Sequence, residues 1–133
     1  MSNLIRLGYL TGEEPLKKKA DQILHLFYNF LDQHPSGFAQ MLSALSFFLD
    51  PQEIGIVGPR NDPRTKTMLK TIHLTFLPNR ILSLSDPQDP AEGSWFPFLR
   101  ERKNQEVPTT FVCQGFACLP PARNEKELKK VLE

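Results

Sequence analysis

Apolar residues in the first fifty positions fall on helical stripes. Leu16, Ala20, Ile23, Leu24, Phe27 and Leu31 recur at i, i+4, i+7, i+8, i+11 and i+15, one face of a long amphipathic helix. Pro15 falls in its first turn, where a missing N–H costs nothing. His34-Pro35-Ser36 stops that helix, and Ser36 is placed to cap the next. There Phe38, Met41, Leu42, Leu45, Phe48 and Leu49 form a second stripe. Met1 to Leu10 predicts the tail of a further helix, closed by Thr11-Gly12. Such short connections predict antiparallel helical hairpins.

The period changes at Asp50-Pro51. Glu53-Ile-Gly-Ile-Val57 is a short, almost wholly apolar run of the kind buried inside a sheet. Gly58 to Pro63 reads as a loop, with Asp62 as N-cap and Pro63 as first helical residue. Met68, Leu69, Ile72 and Phe76 then share a helical face that ends at Pro78-Asn79. Strands are predicted near 53–57, 81–85, 109–113 and 116–119, with a turn at Gln114-Gly115 between the last two. Ser94 to Arg102 predicts a short helix with Pro97 in its first turn, and Leu128, Val131 and Leu132 mark a closing one. The order from residue 51 is β-α-β-α-β-β-α. A right-handed crossover makes the first two strands parallel, and a tight hairpin makes the last two antiparallel. The fold class is therefore α/β (α+β), with a helical region at 1–50 and a small α/β domain at 51–133.

Composition narrows the classes of function. At 133 residues, 40% hydrophobic and 23% charged, the chain has the balance of a folded domain. Net charge is +1, with 4 basic against 5 acidic residues before Pro51 and 12 against 10 from there on. Neither part offers the single-sign field that nucleic acid or an anionic membrane requires. No apolar run approaches the roughly 18 residues of a membrane span, and the first residues lack a signal-peptide layout, so a cytoplasmic protein is expected.

Two resemblances carry further expectations. Glu106-Val-Pro-Thr-Thr-Phe-Val-Cys-Gln-Gly-Phe-Ala-Cys-Leu-Pro-Pro121, followed by a helix, resembles the second half of a thioredoxin fold. That resemblance implies a third strand antiparallel to the first and a cis peptide bond at Pro108. The segments LIRLGYLTGEEPLKKKADQIL, PSGFAQMLSALSFFLDPQEIGIVG and PTTFVCQGFACLPP, in this order, are similar to the extreme C-terminus of the YyaL-type, spermatogenesis-associated thioredoxin-domain proteins. The similarity implies a parent with a thioredoxin-like domain, an α/α toroid and a short α/β tail. This chain would then correspond to the last toroid hairpin and the tail. The Cys-x-x-Cys motif and the pocket-lining part of the toroid are absent, and no catalytic residue carries over.

Chemistry-bearing candidates are few. Cys113 and Cys118, spaced Cys-x4-Cys across a hairpin, are read first as two reduced thiols, one under the sheet and one near the turn. The alternatives are a reversible disulfide or half of a metal site. His25, His34 and His73 are distant in sequence, so no metal or cofactor is expected. Arg60 and Arg64 flank a loop that meets a helix N-terminus, a weak anion-site candidate. Against it stand Pro59 and Pro63, which remove donors, and Asp62, whose carboxylate caps the helix. Trp95, Phe96 and Phe98 are expected in the core. The lysine runs 17–19 and 126, 129 and 130 are offset by acids and read as solvated helix faces.

Two functions are weighed. One is a non-catalytic structural or interaction domain, a C-terminal fragment of a larger protein. The other is a divergent thioredoxin-like redox protein using Cys113 and Cys118. Phe27, Phe30, Phe38, Phe47 and Phe48 lie in a short helical segment. They suggest self-association, or contact with the rest of a larger protein, through the helices.

Overall fold

The computed structural model describes residues 1–89, 96–115 and 117–133. Its elements follow the predicted order: α1 (Ser2–Thr11), α2 (Glu14–Gln33), a 3-10 turn (Pro35–Phe38), α3 (Ala39–Leu49), β1 (Gln52–Val57), α4 (Pro63–Leu74), β2 (Arg80–Ser85), α5 (Pro97–Arg100), β3 (Thr109–Gln114), β4 (Ala117–Cys118) and α6 (Glu125–Leu132). Ser94 and Trp95 of the predicted short helix, and Phe116 of the predicted fourth strand, lie outside the described residues.

Local chemistry accounts for most of the boundaries. α1 ends at Gly12, whose φ of 73° places it in the left-handed region that a helix terminus commonly needs. α4 begins with Asp62 accepting the Arg64 N–H at 2.7 Å and Pro63 in its first turn. α6 is capped by two side chains. Asn124 Oδ1 accepts the Glu127 N–H at 2.9 Å, and Glu127 Oε2 accepts the Arg123 N–H at 2.8 Å. One expectation changes: Ser36 caps nothing. The chain makes a 3-10 turn first, and α3 starts after Phe38 without a side-chain cap.

The four strands form one sheet in the order β2-β1-β3-β4. β1 and β2 are parallel, while β3 runs antiparallel to both β1 and β4. Alternation along β1 sends its side chains to two different layers. Ile54 and Ile56 join Val112, Met68, Ile72, Ala122 and Leu128 in a core beneath α4 and α6. Val57, with Phe111, packs on the opposite face against Leu99 and the partly buried Phe96 and Phe98. Gly55 lies between these positions, and a Cβ there would come within 2.8 Å of the Phe98 ring. The absent side chain lets α5 lie directly on the strand.

The N-terminal helices fold back on this second face. Ile5, Ala20, Ala44 and Phe47 share a core with Ile81 of β2. Arg6 Nη1 donates to the Arg80 carbonyl at 2.9 Å, and Gln114 Nε2 donates to Asp50 Oδ2 at 2.7 Å. Phe47, grouped by sequence with the interface candidates, is a buried core residue. The outward side of α2 stays open: Leu26, Tyr28 and Phe30 are 73%, 65% and 53% exposed. Among the described residues no helix is long and apolar enough to cross a membrane.

Candidate functional site

A cleft of about 300 Å³ opens where the helices meet the β3–β4 hairpin. Tyr9 of α1 and Phe48 and Leu49 of α3 form one wall. Glu53 of β1 and Phe98 of α5 form the floor, while Arg102 and the two cysteines close the far side. Four elements distant in sequence therefore converge on the hairpin.

Cys113 and Cys118 are joined by a disulfide. The reduced pair expected from the sequence is replaced by a bond because of strand register. Cys113 lies directly opposite Cys118, with Cα atoms 4.0 Å apart. The Leu119 N–H donates to the Val112 carbonyl at 2.9 Å, which makes the adjoining 112–119 pair a hydrogen-bonded one. The ladder alternates, so the cysteines occupy a non-hydrogen-bonded pair, where side chains approach most closely. Gly115 helps to turn the chain between them with φ 55°. Cys113 is buried and Cys118 exposed. The two sulfurs thus face different surroundings.

Arg102 is fixed beside the exposed sulfur. Its Nη2 lies 3.5 Å from Cys118 Sγ, its Nη1 donates to the Phe98 carbonyl, and its guanidinium stacks 4.6 Å from the Phe98 ring centroid. On the neighbouring strand Glu53 is the register partner of Cys113, so both side chains point to the same face of the sheet. Burial pushes the Glu53 carboxyl above its ordinary value, against the opposing pull of Lys17 and Arg102. Burial also raises Tyr9, whose ring lies 4.4 Å under the Lys17 ammonium. A disulfide flanked by a cation and a part-buried carboxylate has the groups needed for thiol–disulfide exchange.

The remaining candidates lie elsewhere. Thr109 is the register partner of Val57, so the Gly58–Pro63 loop sits at the opposite end of the sheet from Cys113. Four residues of strand separate the two ends, about 13 Å. Pro108 packs against this loop, since a Cβ on Gly58 would lie 3.2 Å from Pro108 Cα. Its peptide bond is trans, as no cis bond occurs among the described residues, so the cis expectation is not met and counts against the thioredoxin resemblance. Arg64 turns back onto Asp62 at 2.8 Å, and the Arg60 N–H donates to Asp86 Oδ2 at 2.9 Å. These bonds depress the carboxyls of both Asp62 and Asp86. The loop's donors thus meet carboxylates of this same chain. His73 Nδ1 lies 3.2 Å from Arg80 Nη2, and His25 sits beside Asp21 on an exposed helix face.

Glu53, Arg102 and Tyr9 did not emerge as site residues from the sequence. Glu53 left a signal, as the lone carboxylate opening an otherwise apolar strand. Arg102 and Tyr9 left none, because only the packing of α1 and α5 on the sheet brings them to the cleft.

Fold and cleft together define a mixed α/β fold with an N-terminal helical region packed on its sheet and a cross-strand disulfide. Over 134 aligned residues, 98% of the chain, it is 31% identical to human and rat spermatogenesis-associated protein 20 and 29% identical to the mouse protein. The relatives so matched are of the spermatogenesis-associated family that the sequence resemblance implied. It spans 17% of the length of these relatives. No family model matches it, and no solved structure does.

Proposed function

We propose that this chain is a non-catalytic structural or interaction domain, the C-terminal α/β unit of a larger protein, which it contacts through the outer side of its helices. The observation that carries this reading is the open apolar surface of α2. Leu26 and Phe30 lie one turn apart and are mostly exposed, and Phe30 leads into an aromatic cluster with Phe27 and Phe38 at centroid distances of 6.0–6.2 Å. Side chains of this size favour contact with another apolar surface. A chain that matches only 17% of its relatives leaves ample polypeptide to supply one. The sheet order, with only β3 reversed, supports a thioredoxin-like ancestry for residues 51–133.

Adding the chain in trans to the remaining part of a full-length relative tests the reading. A complex that forms with the native chain and is lost with Leu26→Lys/Phe30→Lys is the expected result. Equal binding by the variant sinks the proposal. Sedimentation of the isolated chain separates self-association, the other use of the same surface, from a monomer waiting for its parent.

A second reading, a thioredoxin-like redox unit, is favoured by the Cys113–Cys118 disulfide and its cleft. In the cytoplasm, the setting we assign, such a pair rests as thiols and oxidises only in turnover or under stress. An insulin-reduction assay with a Cys113→Ser control distinguishes this reading from the first.

A further inference from the structure

We propose that the two cysteines have fixed and unequal roles in exchange with an external disulfide, Cys118 as the attacking sulfur set up by Arg102 and Cys113 as the resolving sulfur beside Glu53. The proposal rests on the redox reading above and adds to it a direction, a substrate class and two positioning residues.

Access and charge point the same way. Cys118 is exposed on the two-residue strand β4, whereas Cys113 is buried between β1 and β4. Cys118 is therefore the readier target for an incoming disulfide. The Arg102 guanidinium lies 3.5 Å from Cys118 Sγ and is held there by the Phe98 carbonyl and ring. A fixed cation at that distance favours the thiolate, the nucleophilic form of cysteine. Among the described residues, the titratable or charged groups facing the pair are Arg102, Glu53 and Tyr9, with Lys17 over the Tyr9 ring. Glu53 faces Cys113 across the β1–β3 ladder, so the two sulfurs meet opposite charges.

The exchange balances as follows. The Cys118 thiolate attacks one sulfur of an external disulfide, whose S–S bond breaks and releases one thiolate that takes a proton from solvent. A mixed disulfide remains on Cys118. The Cys113 thiol gives its proton to the Glu53 carboxylate and attacks Cys118 Sγ. The mixed disulfide breaks, the second external thiolate leaves and takes the proton from Glu53, and the Cys113–Cys118 bond forms. Two electrons pass from the protein dithiol to the external disulfide, which is reduced to two thiols. The substrate class is a disulfide whose sulfur can enter the mouth of the cleft, and glutathione disulfide serves as the probe.

Iodoacetamide alkylation of the Cys113→Ser variant across pH measures the Cys118 thiol directly. The expected apparent pKa lies at least about one unit below the free-thiol value of about 8.5, and Arg102→Gln raises it by about one unit, a roughly tenfold loss of thiolate. Arg102→Lys retains most of the effect. Toward glutathione disulfide, Cys118 in the Cys113→Ser variant is expected to react at least about tenfold faster than Cys113 in the Cys118→Ser variant. A Cys118 thiol that titrates at the free value, or a faster Cys113, overturns the proposal, and neither result depends on whether Arg102→Gln folds. If the reduced wild type still closes its disulfide in that case, the redox reading survives without the assigned roles. If glutathione disulfide does not oxidise the wild type at all, the redox reading fails and takes the proposal with it.

Discussion

Replacing Gly55 by alanine tests how closely α5 lies on the sheet. A Cβ at this position would fall 2.8 and 3.0 Å from two atoms of the Phe98 ring, and closer still to a methyl of Leu99. Ordinary carbon contacts lie at about 3.5–4.0 Å, so the Phe98 ring must retreat by most of an ångström and the Leu99 methyl by more. Neither has easy room to do so. Leu99 is fully buried, and Phe98 lies under Arg102. Overpacking of this kind costs about 1–3 kcal/mol. Against it stands the gain of about 0.5–1 kcal/mol from removing a flexible glycine in a strand. The net expectation is a loss of about 1–2 kcal/mol, which shifts a urea midpoint by on the order of 1 M. Gly37→Ala is the matched control, because a Cβ there meets nothing within 4 Å. Urea denaturation followed by far-UV circular dichroism reads both variants. A Gly55→Ala protein as stable as the parent, with Gly37→Ala unchanged, refutes the close approach.

Other expectations follow from single contacts. Asn124→Ala removes the side-chain cap of α6, whose Leu128 is fully buried, and should cost about 1 kcal/mol in the same denaturation experiment. The Glu53 carboxyl is raised in the fold, so its contribution to stability is complete below its unfolded value of 4.5 and is lost as pH rises through the folded value. Glu53→Gln mimics the protonated form. It should match the parent near about pH 4 and exceed it increasingly above that in thermal melts. Reduction of the disulfide opens a loop of sequence separation 5 and should lower stability by no more than about 2 kcal/mol, seen as a shift in urea midpoint with and without dithiothreitol. A much larger loss would mean that the bond organises more than the hairpin.

Local and periodic features were legible in the sequence because each is written over a few consecutive residues. The helix over residues 16–31, the apolar run of β1, the Asp62-Pro63 start of α4 and the turn at Gly115 all appear where their chemistry places them, whereas α3 buries Ala44 and Phe47 rather than the stripe read at 38–49. The antiparallel pairing of β3 with β1 was also reached, through the thioredoxin resemblance. Ser36 shows where local chemistry stopped short: a competing 3-10 turn displaced the start of α3 beyond its reach. Tertiary structure alone decided the rest. The state of Cys113 and Cys118 depends on a one-to-one register that a shift of a single residue would abolish. The helical region covers the sheet through Ile5, Ala20, Ala44 and Phe47 against Ile81, so Phe47 is buried while Phe30 is not. Glu53, Arg102 and Tyr9 lie tens of residues apart, and their meeting in one cleft is set by the packing of α1 on β2 and of α5 on β1. Spacing along the chain specifies which face of an element is apolar, but which face another element covers is settled only when the whole core closes.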